Sequence, residues 1–257
     1  METDRQKQRK NARRELLHLQ TEEKKLREAA RKAKPVGWKS QLEKKIPPKV
    51  YDSLVQTFSL GFSLVFQKGR KLIEKTYNKE FLQEQHMGST VKQMRKNVKR
   101  ANGFNMTATT AEGIALGLLG VGLPDIVLFL STLLKGVYET ALNYGFTYES
   151  RQEQYWILLM MSASLSSGKD WELADKEVEE LLTEEHIHVT EEVLNAQIKE
   201  TAAVFAMDML LLKFIQGMPV VGFLGGAANP LYYNKVMRYV QLKYKKRYLL
   251  KQLGGTL

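Results

Sequence analysis

Apolar positions recur along this chain at helical spacing, and the pattern changes character from one segment to the next. In residues 1–34, Leu16, Leu19, Leu26, Ala30 and Ala33 fall on one narrow stripe, which Glu23 interrupts. Good helix formers fill the remainder, so the pattern predicts a basic N-terminal helix. The simplest reading is a solvated helix; the alternatives are an arm lying on a surface or a short coiled coil. Pro35 and Gly37 end it, and Trp38 follows among lysines. Residues 46–85 read as one or two amphipathic helices, with an apolar run from Phe58 to Phe66 too short to span a bilayer.

The stretch "LGLLGVGLPDIVLFL" at 116–130 sets the central question, because it is greasy yet holds glycines, a proline and an aspartate. A first helix is expected over about Ala111–Leu119, ending at Gly120 or Gly122. Pro124 then opens a second, since the missing N–H of proline costs nothing in a first turn. Asp125 falls in that turn, where the helix dipole favours a carboxylate. The second helix runs to "ETALNYG", with Gly145 as its cap. A third apolar helix, "QEQYWILLMMSASLSSG", ends at Gly168, and an acidic helical region follows. "GMPVVGFLGGAANPLYYNKV" then repeats the glycine–proline–apolar grammar before a last basic helix over about Pro230–Leu250. That helix has an apolar and aromatic face of Leu231, Val236, Tyr239, Val240, Tyr244 and Tyr248.

No segment alternates as a strand does. The expected class is all-α: a multi-helix globular bundle of at least seven helices. It holds two glycine/proline-broken apolar helical hairpins and the basic N-terminal helix. The expected division is a basic arm over 1–34 and a single all-helical domain over 35–257.

Thirteen of residues 114–134 are Ile, Leu, Val or Phe, which favour insertion by roughly 4 to 8 kcal/mol, while one central aspartate opposes it by roughly 2.5 to 3.5. The second candidate, 209–228, contains Lys213, Gln216 and Pro219 and is weaker. The loop between them, 135–208, carries 5 Lys and Arg against 15 Asp and Glu, so two spans would leave both basic ends inside. Short broken helices more often form a buried core. A core with peripheral membrane contact is therefore the expectation, and re-entrant insertion or an integral two-span hairpin are the alternatives.

Charge sharpens this picture. The first 100 residues hold 26 Lys and Arg against 11 Asp and Glu; residues 101–230 hold 6 against 17; the last 27 hold 7 against none. Two basic ends and an acidic middle point to an anionic partner. The tail "KYKKRYLLK" suits anionic headgroups, with Lys243, Lys245, Lys246 and Arg247 as lipid-facing cations. Stacking of Tyr244 and Tyr248 on single-stranded nucleic acid is the less favoured reading. Mean hydropathy is −0.33 and the chain lacks cysteine, which excludes a polytopic transporter, disulfides and thiolate metal sites. The charged start lacks the apolar core of a signal peptide.

Candidate chemistry is sparse. His186 and His188 diverge by about 200° on a helix and lack a third ligand, so no metal site is expected. Asp125 with Glu112 would make an acid–base pair in the enzymatic alternative, a hydrolase, but a helix-start carboxylate already has a structural explanation. Asp208 is expected to pair with Lys213 or Lys199. "GFLGGAAN" lacks the lysine and preceding strand of a phosphate loop. No catalytic residue, cofactor or metal is assigned.

Three stretches carry a resemblance: "GLLGVGLPDIVLF", "YETALNYGF" and "QGMPVVGFLGGAAN" followed by a basic helix. In this order and separation they resemble the EcsC family over roughly residues 40–250. The matching positions are Gly120, Pro124, Asp125, Tyr144, Gly145, Gly217, Pro219, Gly222 and Asn229. The resemblance implies an all-helical bacterial protein, with a link to an ABC transporter or to secretion, and it supplies no catalytic residues. Together these readings predict a non-enzymatic, cytoplasmic protein peripheral to the cell membrane. Its expected partners are the anionic inner leaflet and, through the acidic segment 169–200, a transporter subunit or other protein.

Overall fold

The computed structural model describes residues 2–32, 46–80, 123–182, 188–216 and 228–254. Among them are seven helices and no strand: α1 (Glu2–Lys32), α2 (Pro48–Glu80), α3 (Leu123–Asn143), α4 (Arg151–Leu165), α5 (Gly168–Glu180), α6 (Glu191–Gln216) and α7 (Ala228–Leu253). The all-α class read from the periodicity therefore holds. The amphipathic segment after Pro47 is one helix, and the acidic region is two.

The chain divides into two compact units. Unit 1 comprises residues 1–40, 136–197 and 234–257; unit 2 comprises 41–135 and 198–233. The dividing points fall at 40/41 and inside α3, α6 and α7.

In unit 1, α1 lies antiparallel to α7. Ala12, Leu16 and Leu19 bury against Leu242, Leu249, Leu250 and Leu253. A thin stripe is enough here because α7 offers a matching one at the same 3–4 spacing. The N-terminal helix is thus packed, not solvated on all sides. Helix α4 is apolar almost all round, and every residue from Trp156 to Leu165 is buried. It ends at Leu165, three residues before the expected Gly168, and Gly168 instead enters α5 with φ +61°. The Trp156 indole N–H donates to the Val178 carbonyl at 3.2 Å, tying α4 to α5.

Helix α3 ends as its sequence predicts. Gly145 adopts φ +77°, its N–H donates to Leu142 O at 2.9 Å, and the Phe146 N–H donates to Ala141 O at 2.9 Å. This is the paired-bond helix stop that glycine permits without a Cβ clash.

In unit 2, Phe205 of α6 is the hub. Phe58 and Phe62 of α2 lie 5.7 and 5.5 Å from it between ring centroids, and Phe129 of α3 lies 6.3 Å away. Gly61 lets α2 approach α3: a Cβ there would stand 3.0 Å from Leu130 Cδ1 and 3.1 Å from Ile126 Cγ2.

One described helix, over Ile126–Asn143, is long and apolar enough to cross a membrane, with mean hydropathy 1.2; 67% of that window is buried in the protein. A core helix shows the same combination, so this window does not argue for a span. The expected break between Gly120 and Pro124 lies outside the described residues, as does the part of the second candidate beyond Gln216.

Candidate functional site: a buried ion network beside an exposed basic helix

Helix α7 presents Tyr239, Lys243 and Lys246 on one stripe, at i, i+4 and i+7. The stripe faces α5 and α1. Lys243, only 2% exposed, has its ammonium 2.7 Å from Asp175 Oδ1, 3.5 Å from Glu23 Oε1, and hydrogen-bonded to Glu179 Oε1. Lys246 donates to Glu23 at 3.0 Å and to Glu179 Oε2 at 2.6 Å. The Tyr239 hydroxyl donates to Asp175 Oδ1 at 2.7 Å, and Arg27 approaches the other oxygen at 3.9 Å. Three carboxylates thus converge on two buried ammonium groups, with a half-exposed guanidinium at the edge.

Opposing forces set the protonation of this cluster. Burial pushes the Glu179 carboxyl up, but Lys243 and Lys246 outweigh it and hold it below its ordinary value of 4.5. Burial likewise pushes Lys243 down, and Glu179, Asp175 and Glu23 together hold it above its ordinary 10.5. Burial, then the Asp175 charge, drives the Tyr239 phenol well above 10. Glu179 and Lys243 are therefore charged, and the Tyr239 phenol neutral, at neutral pH.

A second knot occupies the adjacent face of α7. The Tyr244 hydroxyl donates to Glu153 Oε1 at 2.7 Å, and Arg247 donates to both Glu153 oxygens at 3.0 and 2.8 Å. The Arg247 guanidinium lies over Phe146 at 4.4 Å and Trp156 at 4.8 Å from the ring centroids. Burial first, and the Glu153 charge second, raise the Tyr244 phenol well above 10. Ser150 and Glu153 form the Ser-x-x-Glu signature of a capping box. Ser150 caps α4 by accepting from the Glu153 N–H at 3.1 Å, while the Glu153 carboxylate turns away to Tyr244 and Arg247.

These placements correct the lipid-facing role expected of Lys243 and Lys246. Lys243 and Lys246 are buried, Arg247 is clasped by Glu153, and Lys245 pairs with Glu15 at 2.8 Å. A buried ammonium held by carboxylates cannot also meet headgroups. The cations were legible in the sequence; their acids were not, because Glu23 and Lys246 lie 223 positions apart. The signal available was the double interruption: Glu23 breaks the α1 stripe, and Lys246 breaks the 242–246–249–253 stripe of α7.

Of the motif positions, Tyr144 and Gly145 form the turn after α3, with the Tyr144 ring 5.7 Å from that of Tyr248. Pro124 and Asp125 fall in the first described turn of α3 and Asn229 in that of α7, and their side chains lie outside the described set. Gly120, Gly217, Pro219, Gly222, Glu112 and His186 lie outside the described residues; His188 is exposed. Asp208 accepts a hydrogen bond from the Tyr232 hydroxyl; the side chain of Lys213, one of its two expected partners, lies outside the described set. Among the described residues no group of three His, Cys, Asp or Glu is placed to hold a metal ion.

What α1 turns outward is different. Lys7, Lys10, Arg13 and Arg14 are exposed, and no acid interrupts residues 5–14. The same helix is pinned to α7 at this end, where Arg9 donates to the Leu253 carbonyl at 3.2 Å.

Fold and site together define an all-helical protein whose unit 1 is organised around internal ion pairs, with a basic helix packed on α7. The chain belongs to the EcsC protein family, whose family model matches residues 10–249. The match begins within α1, whereas the resemblance read from the motifs begins near residue 40. No curated protein and no solved structure matches the chain.

Proposed function

We propose that the protein is a binding protein of the cytoplasmic membrane face, held to anionic lipid by the basic half of α1. One observation carries this reading: Lys7, Lys10, Arg13 and Arg14 are exposed on a helix whose apolar stripe is already committed to α7. The stripe being buried, α1 meets the bilayer through its charges and not by inserting its own apolar face. The cations of α7 contribute little, because most of them are satisfied internally.

Each Lys or Arg near an anionic surface is worth about 1 kcal/mol. Replacing Lys10, Arg13 and Arg14 with glutamine is therefore expected to weaken binding to phosphatidylglycerol vesicles by roughly a hundredfold. Co-sedimentation reads this directly. Unchanged binding by the triple variant, or tighter binding of the wild type to single-stranded nucleic acid than to vesicles, would contradict the proposal.

A further inference from the structure

We infer that the tip of unit 1 formed by the turn after α3 and the last turns of α7 is the face that enters the membrane interface, an inference that rests on the lipid-binding reading above. Leu142 is 41% exposed at the end of α3, and Tyr248 is 37% exposed on α7. Tyr144 follows Leu142 by two residues in the chain, and its ring lies against that of Tyr248. Gln252 Nε2 donates to the Tyr248 hydroxyl at 2.6 Å, and the exposed Lys251 stands 5.8 Å from the Phe146 ring centroid.

Single exposed leucines are ordinary on protein surfaces. The coincidence is what matters here. The two bonds around Gly145 fix the turn, so Leu142 and Tyr144 are presented by a rigid backbone. The pairing of Arg9 with the Leu253 carbonyl and of Glu15 with Lys245 lays the cationic residues 7–14 along the same turns of α7. An aliphatic tip, two tyrosines and a belt of cations therefore share one end of the unit. Tyrosine favours the headgroup level, where the ring is sheltered and the hydroxyl stays wet. Lysine and arginine reach phosphates just above it, and a leucine beside them touches the acyl boundary. This order of groups matches a bilayer containing anionic lipid better than it matches a nucleic acid, for which the tyrosine rings already lean on each other.

The chain has no cysteine, so Leu142→Cys supplies a lone thiol for an environment-sensitive dye at an exposed position. Leu173→Cys is the control: Leu173 is 70% exposed on α5 beside Glu172, which pairs with Arg31. Arg31 lies 22 residues beyond Arg9 on α1, about 33 Å along the helix. With vesicles of phosphatidylcholine and phosphatidylglycerol in equal parts, the dye at 142 is expected to shift blue and gain protection from iodide. The dye at 173 is expected to stay unchanged. Co-sedimentation with no response at 142, or a response at 173 alone, overturns the inference and leaves the lipid-binding reading standing. Failure of the wild type to co-sediment overturns both. A blue shift at 142 that grows with protein concentration without lipid assigns the tip to a second copy of the chain, and also overturns the inference.

Discussion

Lys243 shows how the surroundings of a residue decide what its charge is for. Its ammonium is almost fully withdrawn from water and meets carboxylates from α1 and α5. Removing one partner of such a set leaves buried charge uncompensated, which costs about 3 to 5 kcal/mol. Lys243→Met is therefore expected to lower the unfolding free energy by that amount in urea titrations. Glu23→Leu combined with Lys246→Leu is expected to cost less than the two single changes added together, because each single change strands the other's charge. The pH dependence follows from the directions of the two shifts. Glu179 is held below 4.5, so its contribution is present above that pH and is lost as pH falls through its folded value. Lys243 is held above 10.5, so its contribution is present below that pH and is lost as pH rises through its folded value. Stability is expected to be flat through neutrality and to fall at both extremes. Glu179→Gln should flatten the acid limb, as read from unfolding midpoints between pH 3 and 7.

At the scale of the helix, the seam between α1 and α7 joins two stripes, each broken once by a charge. Where Glu23 interrupts one, Lys246 interrupts the other, and the pair holds the helices in one register. The opposite device operates between α2 and α3, where Gly61 removes a side chain so that Leu130 and Ile126 can close in. Gly61→Leu should destabilise unit 2 by about 1 to 3 kcal/mol through overpacking, measured by thermal or urea unfolding. Local chemistry was legible at this scale. Gly145 stops α3 because a positive φ suits glycine, and such a stop needs only five neighbouring residues. Glu153 is the counterexample: its spacing from Ser150 predicts a capping carboxylate, yet Tyr244 and Arg247, some ninety positions away, claim it. The third apolar helix stops at Leu165 where Ser166 turns to an extended backbone, φ −72° and ψ 166°, and Lys235 donates to the Leu165 carbonyl at 3.4 Å. No local pattern shows the lysine.

Over the whole molecule, the segmental charge pattern takes on a different meaning once the chain is folded. A basic tail and an acidic middle suggested two surfaces for two partners. In unit 1 much of that contrast is internal: α7 supplies the cations, and α4, α5 and α1 supply the acids. Among the described residues of unit 1, the first half of α1 turns Lys7, Lys10, Arg13 and Arg14 outward with no acid among residues 5–14. A coarse charge count could not separate these two populations, because it does not know which residues meet. Sedimentation of the wild-type protein with phosphatidylglycerol vesicles and with neutral phosphatidylcholine vesicles, at low and at high salt, tests this separation most directly. Binding to the anionic vesicles alone, weakened as salt screens the phosphates, is the expected result. Equal binding to both kinds of vesicle, or none to either, would show that the exposed cations of α1 do not serve a membrane.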